Sequence, residues 1–169
     1  MHWTTRAARS DDLAGLPSIE AAADALFADH GLGPLPPGVS SARDLSRAAY
    51  VLVAGDPVVG FARLEVVDGQ PHLEQLSVRP DSGRKGVGRS LLHAAVAWAS
   101  ANGYATVTLC TFAHVPWNAP FYSRNGFEVT SDLGPELAAL VHVERQVGLH
   151  AVGRRVVMRR PIPPAKGER

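Results

Sequence analysis

The sequence is poor in cysteine and has no long apolar run. Cys110 is the single cysteine, so the chain cannot form an internal disulfide, which excludes a disulfide-stabilised scaffold. The N-terminus lacks the apolar core of a signal peptide, and no apolar segment approaches the length that spans a bilayer. We therefore expect a cytoplasmic protein without a membrane partner.

Positive and negative charges are almost equal in number. The formal net charge is +1, which gives no overall field to attract nucleic acid or an anionic surface. Basic residues concentrate only near the C-terminus, and no aromatic side chains interleave with them. This pattern is typical of a solvated strand and tail, and we expect no nucleic-acid partner.

Metal-ligand spacing and an activated thiol are both missing. The seven histidines include no pair four residues apart and have no cysteine partner, so we expect no metal. Cys110 lies in a strand pattern without an adjacent base, which favours a buried structural thiol over a nucleophile.

What the sequence does contain is an ordinary apolar fraction and a regular order of strands and helices. A length of 169 residues predicts one α/β domain, 1–169, with a core of about 3–160 and a tail at 161–169. The predicted elements are a strand at 3–8, a helix capped by Ser10 and broken at Pro17, a Gly/Pro-rich loop at 30–40, a short helix capped by Ser41, strands at 50–54, 58–67 and 72–78, a helix from Val87 that stops at Asn102, a strand at 106–111, a helix at 119–124, a strand from Phe127, a helix at 135–147 and a strand at 152–158.

The stretch Gly83-Arg84-Lys85-Gly86-Val87-Gly88 follows a predicted strand and precedes a helix. Such a turn presents free backbone N–H groups and the positive helix end to an anion. It is not a Walker loop, because Gly86 follows Lys85, and it lacks the third glycine of a dinucleotide fingerprint. From this stretch alone, an anion site and a solvated turn are equally supported.

Two separate segments resemble the GNAT acetyltransferase superfamily. In that family a strand ending in Val-x-Pro precedes the cofactor motif, which is Arg or Gln, any two residues, Gly, any residue, then Gly or Ala. Here the strand at 76–80 ends in Val78-Arg79-Pro80, and Gly86-Val87-Gly88 matches the second half of the motif. Downstream, Phe121-Tyr122 is followed by three residues and Gly126-Phe127, as in the family's second segment. The resemblance is strong from 73 to 127 and weaker over 3–160. Gly83 departs from the usual Arg or Gln.

The resemblance implies a fold, a co-substrate and a reaction. The fold would be a mixed, mostly antiparallel sheet of about six to seven strands flanked by about four helices. The reaction would be direct transfer of an acetyl group from acetyl-CoA to an amine, with the pyrophosphate held mainly by backbone amides. The implied cofactor-binding residues are Leu76, Ser77, Val78, Arg84, Lys85, Gly86, Val87, Gly88, Arg89, Ser90, Asn118 and Tyr122.

The same resemblance suggests the catalytic residues. Tyr122 matches the family tyrosine that donates a proton or hydrogen bond to the CoA sulfur. The family often has a carboxylate on the strand before the glycine stretch; Glu74 is the best candidate for the base and His72 the second. By the two-residue strand period, both share a face with Leu76 and Val78. The Val78 amide would polarise the thioester carbonyl.

Several alternatives stay open at this stage. Asn118 fits either a contact to the CoA arm or a helix N-cap. The acceptor, a small-molecule or peptide amine, would approach from the side of the site that is lined by the first helices, the 31–38 loop and the segment after Val129. A non-catalytic acyl-CoA-binding module, an ATP-binding protein and an enzyme for longer acyl-CoA are the rivals. The oligomeric state, a homodimer included, is undetermined.

Overall fold

The computed structural model describes residues 2–36 and 40–164. Part of the predicted loop, 37–39, and part of the predicted tail, 165–169, lie outside the described residues. The strands are β1 (Thr5–Ala7), β2 (Tyr50–Ala54), β3 (Gly60–Val67), β4 (Gln70–Val78), β5 (Thr106–Phe112), β6 (Glu128–Val129) and β7 (Arg155–Pro161). The α-helices are α1 (Ser10–Leu13), α2 (Leu16–Asp29), α3 (Ala42–Ser46), α4 (Val87–Ala101), α5 (Ala119–Arg124), α6 (Pro135–Gln146) and α7 (Leu149–Val152).

The strands form one sheet of seven strands in the order β1-β2-β3-β4-β5-β7-β6. Only β4 and β5 run parallel; the other neighbouring pairs are antiparallel. This confirms the expected mixed, mostly antiparallel α/β fold. No helix in the described ranges is long and apolar enough to cross a membrane.

Helices cover both faces of the sheet because each buries one apolar stripe. On one face, Leu91, Ala95 and Ala99 of α4 are fully buried against strand residues of the largest core cluster. On the other face, α2 and α3 pack Leu16 and Leu45 around Phe61 of β3. The sheet therefore lies between α4 on one side and α2 with α3 on the other.

Most local predictions are confirmed, but the cap of the first helix and the bounds of the last strand are wrong. The first helix does break, with Pro17 in the first turn of α2, and Ser41 caps α3 by accepting a hydrogen bond from the Asp44 amide. Arg9, not Ser10, occupies the N-cap position of α1. The last strand begins at Arg155 instead of 152, because α7 occupies the preceding residues.

A bulge in β4 contradicts the predicted alternation of that strand. Arg63 of β3 pairs with Gln75 while the next residue, Leu64, pairs with Leu73, so Glu74 is an extra residue on β4. The bulge resets the two-residue period. Leu76 therefore packs with Leu73 against the α4-side core, and His72 does not share their face. The prediction that His72, Leu76 and Val78 lie on one face is wrong for this reason.

Candidate active site

The two parallel strands at the centre of the sheet separate after a short contact. The β4–β5 pairing consists of His72 with Thr108 and Leu73 with Leu109. Beyond these pairs, β4 continues to Val78 along β3, and β5 continues to Phe112 along β7. The facing edges of the two strands are thus left apart, and they form the walls of a cleft.

The cleft has a volume of about 930 Å³ and contains most of the predicted site residues. One part is lined by residues within 76–78, 83–89 and 118–124; we call it the glycine-loop half. The other is lined by residues within 20–36, 112–117 and 140–155; we call it the α2 half. The predicted residues that line the cleft are Glu74, Leu76, Ser77, Val78, Arg84, Gly86, Val87, Gly88, Arg89, Asn118 and Tyr122, and those that do not are Lys85 and Ser90.

The backbone of β4 presents alternate amides to the cleft. The Arg79 amide donates to the Val59 carbonyl on the β3 side. Amides two residues apart on a strand point to the same neighbour, so the intervening amides of Leu76 and Val78 point the other way, toward β5. Since β5 has diverged there, these two amides are directed into the cleft.

The glycine stretch forms a tight turn at the start of α4. Arg84 and Gly86 have positive φ angles of 59° and 85°, and no side chain caps the helix start. The first-turn amides of this 15-residue helix are therefore available to an anion. The Lys85 ammonium donates to the Asp81 carbonyl, and the Trp3 indole N–H donates to the Lys85 carbonyl at 2.9 Å, so Lys85 connects the turn to the fold.

Tyr122 lies on the cleft wall between two other aromatic rings. It is buried on α5 and makes edge contacts with Phe121 and Phe127 at centroid distances of 5.2 and 5.8 Å. Burial raises the pKa of its phenol above the ordinary value. The hydroxyl therefore stays protonated at neutral pH and can act as a hydrogen-bond donor.

Glu74 and His72 meet at the bulge. His72 is 1% exposed, and its Nδ1 lies 2.8 Å from the Thr108 hydroxyl. Its Nε2 lies 3.8 Å from a Glu74 carboxylate oxygen. Burial, followed by the positive charge of Arg155, lowers the pKa of His72 to about 4. The Glu74 side chain keeps 38% exposure, and its partial desolvation in the cleft raises the pKa of its carboxyl group. At neutral pH the imidazole is therefore neutral, and the two groups are not an ion pair.

Asn118 holds the end of β5 instead of capping α5. It occupies the N-cap position, but its side chain makes no capping hydrogen bond. Its Oδ1 accepts from the Thr111 hydroxyl at 2.9 Å and from the Phe112 amide at 3.3 Å. The capping alternative is thus wrong. Because both bonds use the oxygen, the side-chain NH₂ group is left for the cleft.

The α2 half contains carboxylates that sequence reasoning missed. Glu20 is 4% exposed and accepts a hydrogen bond from the Ser40 amide at 2.9 Å. Asp24 follows one helical turn later; burial and the nearby Glu20 raise its pKa to about 6. A signal existed, because Glu20 lies four residues after Leu16, on the predicted apolar stripe of the helix.

Three further groups that line the cleft are charged or titratable: Glu144, Arg155 and Cys110. Glu144 of α6 and Arg155 of β7 form a two-point ion pair, with contacts of 2.9 and 3.2 Å. Arg155 also lies 4.6 Å from the centre of the Phe112 ring. Burial raises the pKa of the Cys110 thiol to about 12, so the thiol is protonated and a poor nucleophile.

Comparisons with known proteins agree with this geometry. A family model described as an acetyltransferase (GNAT) domain matches residues 46–129. The ribosomal-protein-S18-alanine N-acetyltransferase of Escherichia coli superposes with a TM-score of 0.68 at 20% identity, covering 99% of this chain and 98% of that one. PaiA N-acetyltransferase of Thermoplasma acidophilum, solved in complex with coenzyme A, gives 0.61 at 19% identity, covering 95% and 99%.

A GCN5-related N-acetyltransferase of Rhodopseudomonas palustris gives a TM-score of 0.68 at 22% identity, covering 95% and 96%. At these identities the structural likenesses establish the fold. Together with the matched domain, they show that the chain belongs to the GNAT superfamily, a class of acyltransferases. The departure at Gly83 therefore does not exclude membership.

Proposed function

We propose that this protein transfers an acetyl group from acetyl-CoA to a primary amine, directly and without an acyl-enzyme intermediate. The observation that carries this proposal is the separation of β4 from β5. It opens one cleft that contains the glycine turn, the free β4 amides, Glu74 and Tyr122. A donor and an acceptor can therefore meet between the two strand edges.

Acetyl-CoA would lie in the glycine-loop half. The amides of Gly86, Val87 and Gly88 suit the pyrophosphate, and Arg84 and Arg89 add positive charge nearby. The pantetheine arm would run along β4 and accept a hydrogen bond from the cleft-facing amide of Val78. The Asn118 side-chain NH₂ group, left available by its two bonds at Oδ1, offers a further donor.

The thioester carbonyl needs a hydrogen-bond donor that lies close to both Glu74 and the Tyr122 hydroxyl. The sequence favours the Val78 amide for this role. Leu76, however, lies two residues nearer to Glu74, whereas Val78 lies at the glycine-turn end of β4. We assign the carbonyl to the Leu76 amide and leave Val78 to the pantetheine arm.

The proton steps follow from the pKa values at the site. Glu74, directly or through a water, takes one proton of the acceptor ammonium, and the nitrogen then attacks the carbonyl carbon. As the carbon–sulfur bond breaks, the nitrogen loses its second proton, which passes through water to the leaving thiolate and gives free CoA thiol. A thiol has an ordinary pKa of about 8.5, well below that of the buried Tyr122 phenol, so full transfer from tyrosine to thiolate is uphill. Tyr122 therefore stabilises the leaving thiolate chiefly by a hydrogen bond.

The test is to incubate the protein with acetyl-CoA and a panel of primary amines and to measure free CoA thiol and acetylated amine together. Equal amounts of both products are expected. Stabilisation by CoA in a thermal-shift assay, without acetylation of any amine, would instead indicate an acyl-CoA-binding module. Stabilisation by ATP and not by CoA would indicate a nucleotide-binding protein. Parallel reactions with longer acyl-CoA donors measure the acyl preference.

A further inference from the structure

The α2 half of the cleft has an aromatic wall built from three parts of the chain. The Phe27 ring of α2 lies 5.5 Å from Phe112 of β5 and 5.4 Å from Trp117 of the β5–α5 loop, between ring centroids. His30 makes an edge contact with Trp117 at 4.5 Å. All four residues line the cleft. This wall offers apolar area in the α2 half of the cleft.

Apolar side chains continue from this wall to the cleft rim. Val143 and Val147 of α6 line the cleft, and each is 53% exposed. Leu35 and Leu149 belong to the small cluster around Phe27 and also line the cleft. Exposed large apolar residues in a concave site indicate contact with an apolar ligand.

Carboxylates lie beside the aromatic wall without a direct ion pair; the nearest cation to Glu20 is linked through Ser40, whose hydroxyl accepts a hydrogen bond from Arg63 at 3.0 Å. Asp24 and Glu20 precede Phe27 on the cleft-facing side of α2, one and two helical turns away respectively. Among the described residues, neither carboxylate has a Lys or Arg within salt-bridge distance. A carboxylate drawn partly out of water without a counter-ion destabilises the fold, and a bound cation offsets that effect.

From these features we infer that the acceptor is a small primary amine with an aromatic or branched aliphatic body. Its apolar body would pack on Phe27 and Trp117, and its ammonium group would approach along Glu20 and Asp24 toward Glu74. A primary amine is protonated on arrival, with an ordinary pKa near 10.4, so the carboxylates attract it before Glu74 removes the proton. This inference rests on the proposed function and specifies its substrate class.

The first experiment compares two amines that share an ammonium group and a two-carbon stem. We expect kcat/KM to be about 10- to 100-fold higher for phenethylamine than for ethanolamine, because only phenethylamine buries a ring. Trp117→Ala should lower kcat/KM for phenethylamine more than kcat/KM for ethanolamine and so remove most of this preference. Trp98→Ala is the matched control, since Trp98 stacks on Tyr50 outside the cleft.

Two further variants keep the test independent of folding defects. Val143→Asp, at an exposed rim position, should raise the KM for phenethylamine without changing the melting temperature. Asp24→Asn should lower kcat/KM for cationic amines yet raise the melting temperature, because it removes a carboxylate without a counter-ion. A merely structural role for Asp24 predicts the opposite change in melting temperature.

Binding of phenethylamine to the CoA-loaded protein, measured by calorimetry, separates this inference from the proposed function. Binding that Trp117→Ala abolishes, without any acetyl transfer, would support the acceptor site and refute the transfer reaction. Transfer to ethanolamine, polyamines or peptides at least as fast as to phenethylamine would preserve the function and overturn this inference. Absence of both binding and transfer would overturn both.

Discussion

The two halves of the cleft are built in different ways. The glycine-loop half relies on backbone groups: the β4 amides and the first turn of α4. The α2 half relies on side chains that come from α2, β5, the β5–α5 loop and α6. Backbone groups at a turn need only glycines and a strand end, whereas a side-chain wall depends on the identity of every residue in it. The first half therefore suits a shared cofactor, and the second an acceptor particular to this protein.

The largest expected effect is in the glycine-loop half, at Tyr122. Tyr122→Phe should lower kcat by about 10²- to 10³-fold, because the leaving thiolate loses its hydrogen-bond donor, with little change in acetyl-CoA affinity. Steady-state kinetics with CoA calorimetry measures both quantities. Tyr104→Phe is the control, since Tyr104 packs against Trp98 away from the cleft. An unchanged kcat in Tyr122→Phe would remove the assignment.

The next largest effect concerns the base. Glu74→Gln should lower kcat/KM by about 10²-fold. In the wild type, the rate should fall as the pH decreases through the pKa of Glu74, which burial raises above 4.5. A pH–rate profile checks this, and the variant should lose that acidic limb. If the limb persists in Glu74→Gln, another group is the base; a profile of His72→Gln then tests the second candidate.

A smaller effect is expected from backbone strain in the glycine turn. Gly86→Ala places a Cβ atom at a φ of 85° and should weaken CoA binding about tenfold. Gly69→Ala is the matched control, because Gly69 has a φ of 72° in the β3–β4 turn, with open space around it. The control should lower the melting temperature but not CoA affinity. Equal CoA affinities in both variants would argue against backbone binding of the pyrophosphate.

The smallest effect should come from the cationic side chain next to Gly83. Arg84→Ala should weaken CoA binding only about two- to threefold, and the difference should shrink at high salt, because the charge is close to solvent. Arg84→Gly also relieves the positive φ of 59° at this position. If both variants instead lose most of the CoA affinity, Arg84 takes over the role of the motif's usual Arg or Gln.

The difference between the two halves of the cleft also explains which features could be predicted from the sequence. The glycine turn, the strand before it and Phe121-Tyr122 are local segments, so the sequence predicted their elements correctly. The bulge at Glu74 did leave a mark, because two consecutive polar residues, Glu74 and Gln75, separate Leu73 from Leu76 by three positions. The prediction applied an unbroken two-residue period to the strand and so missed it. For the α2 half, the sequence predicted which segments the acceptor would approach but not which side chains contact each other. Phe27 and Trp117 are 90 residues apart in the chain and meet only through tertiary packing.

The central claim, that one cleft binds both reactants at once, is tested most directly by the initial-velocity pattern of acetyl transfer. Acetyl-CoA and phenethylamine are varied together in the wild type and in Cys110→Ala. Direct transfer in a ternary complex predicts intersecting double-reciprocal lines and an unchanged pattern in the cysteine variant. Parallel lines, with an acetyl group trapped on the protein and lost in Cys110→Ala, would contradict the account.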